Sequence, residues 1–502
     1  MAVGPEDSVV RAGWGARFAW DKEIWMVVAG GVLGGLFATI GLAALLGPAN
    51  GFGGDSLGYL GIISILGLMP CGGGLVWALI HPRRGFPAIA VGMLLGLGIF
   101  FAFAGEGVDD AWKAPLDRPS TTRALGSWTA GDLVVRVRPD QVVAYRSATG
   151  AVVWHWTLPG EDSVCAMSRG VGAGTAGQGS VGLIGHSPHD KPCTAVTALD
   201  LSDGREGWTT AVDAPARDGD AATPDVVTVA GGQAVLQEKD GWRAVRLADG
   251  AAVWRGTTDA GCAPLHVAGG AADVVTVAQC GAAAPVLRSL AAEDGREQAR
   301  IALPVVGGLK NLAVVSVDPL AVWVDAQGER GTHAVLSFDR SGRPRASIPV
   351  SGSEYDLDVM LGGLHAFDEF DARPLFGGVV VGDLFVVPGE RPGDVTIGSG
   401  RNPVRSATGR LVAYSLADGG QRWTAGLDDQ VSGLVVDGTS VWAMTRNRIT
   451  RVDAATGRRN AELDVNGTSS LYPVDLSVSG PKQFTVVAED GTRDEPPVRG
   501  MK

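Results

Sequence analysis

Apolar positions in this chain follow two different rules, and the change falls near residue 105. Before it, three stretches, 24–46, 57–80 and 86–104, carry no charged residue. Each runs about 19–24 residues, enough to cross a hydrocarbon core of roughly 30 Å. After it, apolar and polar residues alternate in short runs, as at 142–146, 196–201, 244–247 and 411–416. Alternation with period two predicts half-buried β-strands. Two further runs lie upstream in each segment, for example 226–229 with 234–237 and 433–436 with 440–444, which predicts four strands per segment.

The segments share a turn. Glycine closes it at Gly150, Gly204, Gly250, Gly295, Gly342, Gly419 and Gly457. The residue before is always Asp, Thr or Ser: Thr149, Asp203, Asp249, Asp294, Ser341, Asp418 and Thr456. Four positions after the glycine stands Trp154, Trp208, Trp254 or Trp423, and in the other segments Ala299, Ala346 or Ala461. Most intervals are about 45 residues, the length of one four-stranded propeller blade. Asp-Gly between alternating runs reads as a tight hairpin turn, because glycine supplies the positive φ. A lone four-stranded sheet leaves both faces wet, whereas stacking around an axis buries them. A flat indole suits the space between stacked sheets, and its N–H can reach a neighbouring carbonyl.

The runs Ala-Tyr-x-x-x-Thr-Gly-x-x-x-Trp at 144–154, Leu-x-Leu-x-Asp-Gly-x-x-x-Trp at 199–208 and Ala-Tyr-x-Leu-x-Asp-Gly-x-x-x-Trp at 413–423 resemble the PQQ-like β-propeller repeat, over roughly residues 110–490. That family includes quinoprotein dehydrogenases and the assembly lipoprotein BamB. The resemblance implies eight blades docked through tryptophan, with seven as the alternative. An eighth blade has to be assembled from the ends: 471–478 and 483–488 read as strands, and 111–116, with Trp112, looks like a fourth strand. The interval from Gly342 to Gly419 is long, and its Asp-, Gly- and Pro-rich part at 367–403 reads as a loop over one face. The expected organisation is a cytoplasmic leader (1–23), three transmembrane helices (24–105), an extracytoplasmic propeller (110–490) and a disordered tail (491–502).

Charge sets the expected topology. Arg11, Arg17 and Lys22 precede the first apolar stretch, Arg83 and Arg84 link the second to the third, and Glu106, Asp109 and Asp110 follow. Cationic flanks stay cytoplasmic, so the reading is a multi-pass bacterial plasma-membrane protein with its N-terminus inside and its propeller outside. Gly30/Gly34, Gly31/Gly35 and Gly92/Gly96 would let such helices approach closely. Cys165, Cys193, Cys262 and Cys280 lie in the repeat region, an even number that fits disulfides in an oxidising compartment. Sequence neighbours suggest Cys165–Cys193 and Cys262–Cys280; two other pairings stay open. The net charge of −12 argues against a nucleic-acid partner.

Candidate chemistry is sparse. Gly54-Asp55-Ser56-Leu57-Gly58 matches a hydrolase elbow by spacing, but it sits between two apolar stretches with no catalytic His or Asp nearby apart from the link residue His81. Gly172, Gly174 and Gly177 match a dinucleotide fingerprint, yet a strand-like run follows where a helix is required. His186, His189 and Asp190 form a metal-like cluster without fixed geometry, read as a solvated loop. Asp368, Glu369 and Asp371 lack EF-hand spacing. No adjacent cysteines occur, so the quinoprotein cofactor equipment is not visible. The expectation is a membrane-anchored, non-catalytic binding or scaffold module at the cell envelope, with no cofactor or metal and a protein or peptide partner. An oxidoreductase and an extracytoplasmic ligand sensor are the alternatives.

Overall fold

A computed structural model describes Leu94 and residues 107–502, apart from 120–121, 174–178, 189–190, 216–225, 353, 361–375, 392–395, 398–404, 407–408, 467–473 and 490–494. The chain divides into two compact units, Met1–Gly105 and Glu106–Lys502, and the architecture below concerns the second. It is all-β. Antiparallel sheets follow one another along the chain, and we number them units 1 to 8: 126–157, 162–211, 227–257, 262–302, 309–349, 356–426, 433–466, and 474–501 with 107–113.

Unit 3 shows how the sequence builds a unit. Val227–Ala230 turns through Gly231 and Gly232, both at positive φ, into Gln233–Glu238, which pairs with Gly241–Arg246 and then Ala252–Thr257. The second strand is buried along its whole length, whereas the last alternates exposed and half-buried residues. A strand covered on both faces buries every side chain, here with Ala234, Val235 and Leu236 at its centre, whereas one at the rim need bury only alternate side chains.

What covers those faces is the neighbouring unit. Among the described residues, eight clusters of buried apolar side chains each join two successive units: 1 with 2, 2 with 3, 3 with 4, 4 with 5, 5 with 6, 6 with 7 and 7 with 8, and the last returns from 8 to 1. The sheets thus form a closed, propeller-like ring. Unit 8 takes strands from both ends of this part of the chain, Val474–Gly480, Gln483–Ala488, Val498–Met501 and Gly107–Lys113, in that order across the sheet. Gly107–Lys113 also runs parallel to Arg459–Asn466 of unit 7, pairing Gly107–Asp109 with Asp464–Asn466.

Three expectations are corrected. The fold class expected was an eight-bladed propeller, or a seven-bladed one, preceded by three transmembrane helices. No helix among the described residues is long and apolar enough to cross a membrane. The stretches 24–46, 57–80 and 86–104 lie outside the described residues apart from Leu94, and the integral-membrane partner, the multi-pass plasma-membrane placement and the membrane-anchored role are withdrawn. Units 7 and 8 are not separate sheets but one of eight strands, because Gly107–Lys113 hydrogen-bonds on both sides. The tail expected to be disordered over 491–502 contains the buried strand Val498–Met501, whose apolar residues seal unit 8 against units 7 and 1.

Candidate functional site

The repeated turn lies between the third and fourth strands of a unit, and its geometry differs from a two-residue hairpin. In unit 2 the Gly204 N–H donates to the Asp200 carbonyl at 2.8 Å and the Asp200 N–H to Arg205 at 2.9 Å, and the same pair of bonds recurs around Gly150, Gly250, Gly295, Gly419 and Gly457. All of these glycines have φ near +70°. The ladder then slips by one residue, as at Leu199 and Ala198 opposite Glu206 and Trp208. The unpaired residue, Gly207 here, makes a bulge immediately before the indole, which bends the strand at that point. The residue before the glycine works locally: Asp203, Asp249, Asp294 and Asp418 each accept the backbone N–H two positions on, at 2.9–3.0 Å. That preference is an Asx turn, and Thr149 and Thr456 make weaker versions at 3.4 Å.

Each indole lies over the glycine of the next unit. A Cβ on Gly204 would stand 2.5 Å from Trp154 Cε3, and on Gly295 and Gly457 it would stand 2.6 Å from Trp254 and Trp423. Trp208 covers Gly250 in the same manner. The indole N–H then donates to the carbonyl three residues before that glycine: Trp154 to Leu201 at 3.1 Å, Trp208 to Leu247 at 2.8 Å, Trp254 to Ala292 at 2.9 Å and Trp423 to Ala454 at 2.8 Å. Trp112 makes the fifth such seam, donating to Ser147 at 2.7 Å above Gly150 and so docking unit 8 on unit 1.

Alanine stands in that place at three seams. Between units 5 and 6, Ala346 faces Gly419, and the carbonyl that an indole would reach, Leu416, accepts instead from the buried Ser337 hydroxyl at 2.5 Å. Between units 4 and 5, Ile301 leans on Gly342 beside Ala299, and the turn is one residue tighter, with Gly342 N–H on the Asp339 carbonyl at 2.9 Å. Ala461, at the seam of units 7 and 8, packs against their shared cluster. Beside Ala299 the structure opens into a cavity of about 630 Å³ whose walls reach Leu320, Phe338 and Val380.

Cys165–Cys193 and Cys262–Cys280 are disulfide-bonded, each within one unit. Cys262 and Cys280 face each other directly across the first two strands of unit 4. His186 belongs to the strand Ser180–Pro188 and is buried; it does not lie in a solvated loop. Its Nδ1 is 2.7 Å from Asp162 Oδ2 and its Nε2 is 3.0 Å from Thr197 Oγ1, which continues to Thr209 at 2.8 Å. This row ties strands together within unit 2. Its expected companions His189 and Asp190, the group Asp368, Glu369 and Asp371, the motif at 54–58, and Gly174 and Gly177 lie outside the described residues. Gly172 sits in the short strand Gly172–Ala173, paired to Ser180–Pro188. Among the described residues no group of three or more His, Cys, Asp or Glu side chains is placed to hold a metal ion.

Residues 380–481 match a family model described as outer membrane protein assembly factor BamB. The match runs from within unit 6 through unit 7 into the first strand of unit 8 and covers well under half the chain, so it does not establish membership. No curated protein matches. Among solved structures, the quinohemoprotein alcohol dehydrogenase ADHIIG from Pseudomonas putida HK5 is 12% identical, with 79% of this chain and 76% of that one covered at a TM-score of 0.46. Sqt1 of Saccharomyces cerevisiae is 10% identical, covering 79% and 98% at 0.43, and the dihydro-heme d1 dehydrogenase NirN is 14% identical, covering 74% and 75% at 0.43. At these values the likenesses carry no argument about what this chain does.

Proposed function

We propose that this protein is a non-catalytic binding module that receives a protein or peptide partner on the face carrying the glycine turns. The observation behind this reading is the contrast among seams: most are sealed by an indole, while on that face an open, partly apolar cavity sits beside Ala299. Several buried polar groups of units 2 and 3 tie strands together, as with Asp162, His186 and Thr197, or Glu238 with Arg243 and Arg255. Polar groups held in this way position strands behind a surface rather than move protons. The partial likeness to a family described as an assembly factor is consistent with a protein partner.

Photocrosslinking tests this. A benzophenone placed at Gln298, on the cavity wall, should yield a reproducible crosslinked protein in the native host, and a benzophenone at the exposed Asp140, at the opposite end of unit 1 from its glycine turn, should not. A chain that stays uncrosslinked from both positions would remove the reading.

A further inference from the structure

The cavity beside Ala299 spans three units on the turn face. Its floor is apolar, made by Val317, Pro319, Leu320, Phe338 and Val380. Its charges are four carboxylates, Asp273, Asp318, Asp339 and Asp383, against two guanidinium groups, Arg340 and Arg345. Each guanidinium is already matched: Arg340 pairs with Asp318 at 2.8 Å, and Arg345 meets both oxygens of Asp383 at 3.1 Å. Asp273 and Asp339 receive their hydrogen bonds from neutral groups, Gln298 Nε2 at 2.9 Å and Ser341 Oγ at 2.6 Å. The Ser341 hydroxyl, with the Arg343 N–H behind it, also holds the Asp339 carboxyl below its ordinary pKa, so it is ionised at neutral pH. Four negative charges stand against the two positive ones of the lining and the Arg343 guanidinium that also acts on Asp339, an excess of one.

The corresponding turns at the seam of units 1 and 2, where Trp154 is in place, enclose a smaller cavity of about 350 Å³ around Gly131, Asp132 and Ser202. Replacing the indole by Ala299 thus accompanies a wider opening in the same part of a repeat.

We propose that this cavity captures an aromatic side chain flanked by Lys or Arg on a partner peptide, the aromatic ring resting on the Val317–Phe338 floor and the cations meeting Asp273 and Asp339. The inference rests on the binding-module reading and gives the partner its chemistry. An aromatic group supplies large apolar area at low entropic cost, which suits the apolar floor beside Ala299. The excess negative charge steers cationic flanks and rejects acidic ones.

Fluorescence polarisation with labelled pentapeptides on the full chain tests it. Gly-Lys-Trp-Lys-Gly should bind at least tenfold tighter than either Gly-Lys-Ala-Lys-Gly or Gly-Glu-Trp-Glu-Gly. Ala299→Trp, which puts a large indole on the cavity wall, should abolish that preference. Asp273→Asn, which keeps the Gln298 contact, should weaken binding about two- to fivefold and flatten its salt dependence. Equal binding of the three peptides, or a preference that survives both substitutions, overturns the assignment. If the peptides show no preference while a crosslinked partner is retained by the Ala299→Trp chain, the cavity assignment falls and the binding-module reading stands.

Discussion

The seam between units 1 and 2 and the seam between units 5 and 6 perform one task with different parts. In the first, Trp154 covers Gly204 and donates to Leu201. In the second, Ala346 leaves Gly419 uncovered, and the Ser337 hydroxyl reaches the equivalent carbonyl, Leu416. What both preserve is the satisfied carbonyl; what only one preserves is the buried aromatic area. A buried carbonyl without a donor costs about 1–3 kcal/mol, so a ring of sheets can give up area at a seam more readily than it can give up that bond.

Removing each part in turn would break or sharpen this comparison. Trp154→Ala takes away a side chain only 8% exposed together with the donor for Leu201. The expected loss is about 3–5 kcal/mol in chemical denaturation. Ser337→Ala removes only a hydroxyl, and the expected loss is about 1–2 kcal/mol. Comparable losses from the two would mean that the indole's area contributes little and that the hydrogen bond alone holds a seam.

The glycines sharpen it further. Gly204 and Gly419 have nearly the same φ, +76° and +74°. Alanine at either position bears the left-handed backbone cost, roughly 1–2 kcal/mol. At Gly204 the new Cβ also meets Trp154 at 2.5 Å, while at Gly419 its nearest neighbour is the Ser347 carbonyl at 3.4 Å. Gly204→Ala should therefore be worse than Gly419→Ala by about 1–3 kcal/mol, the cost of overpacking. Equal effects in thermal melts would show that the backbone alone requires glycine and that the indole yields.

How much of this could be read from residues follows the range of the interactions. The turn is local: the Asx acceptor, the left-handed glycine and the tryptophan fall within six positions, so periodicity exposes them. Trp112 was legible as a fourth strand because it carries the same indole, although its seam joins the two ends of the ring. Ser337 was not legible, since its partner Leu416 is 79 positions away and nothing marks a serine as a substitute for an indole. His186 misled for a related reason. Proximity grouped it with His189 and Asp190, but it belongs to a strand buried continuously from Val181 to Ser187, where it meets Asp162 from another strand. The charge-free stretches before residue 105 read as spans from length and composition alone, and those properties do not place a helix.

The smallest expected effect lies in unit 5, which borders both alanine seams between units 4 and 6 and so depends most on ties of its own. His333, on His333–Phe338, has Nε2 2.9 Å from the Gly328 carbonyl and Nδ1 2.6 Å from Asp325 Oδ1. A neutral imidazole can donate from one nitrogen only; the protonated ring donates from both. The Gly328 carbonyl first, and the Asp325 carboxylate after it, therefore raise the His333 pKa above its ordinary 6.5, against a slight opposing effect of burial. A group whose pKa rises on folding stabilises the fold fully below its unfolded value, and that contribution fades as pH climbs through the folded value. With 32% of its side chain exposed, His333 is screened, and the effect is modest. The melting temperature of the wild type should fall slightly more than that of His333→Gln as pH is raised from about 6 to about 8. Parallel curves would show that Asp325 and Gly328 hold the neutral ring equally well, and that unit 5 stands between its two alanine seams without help from a charge.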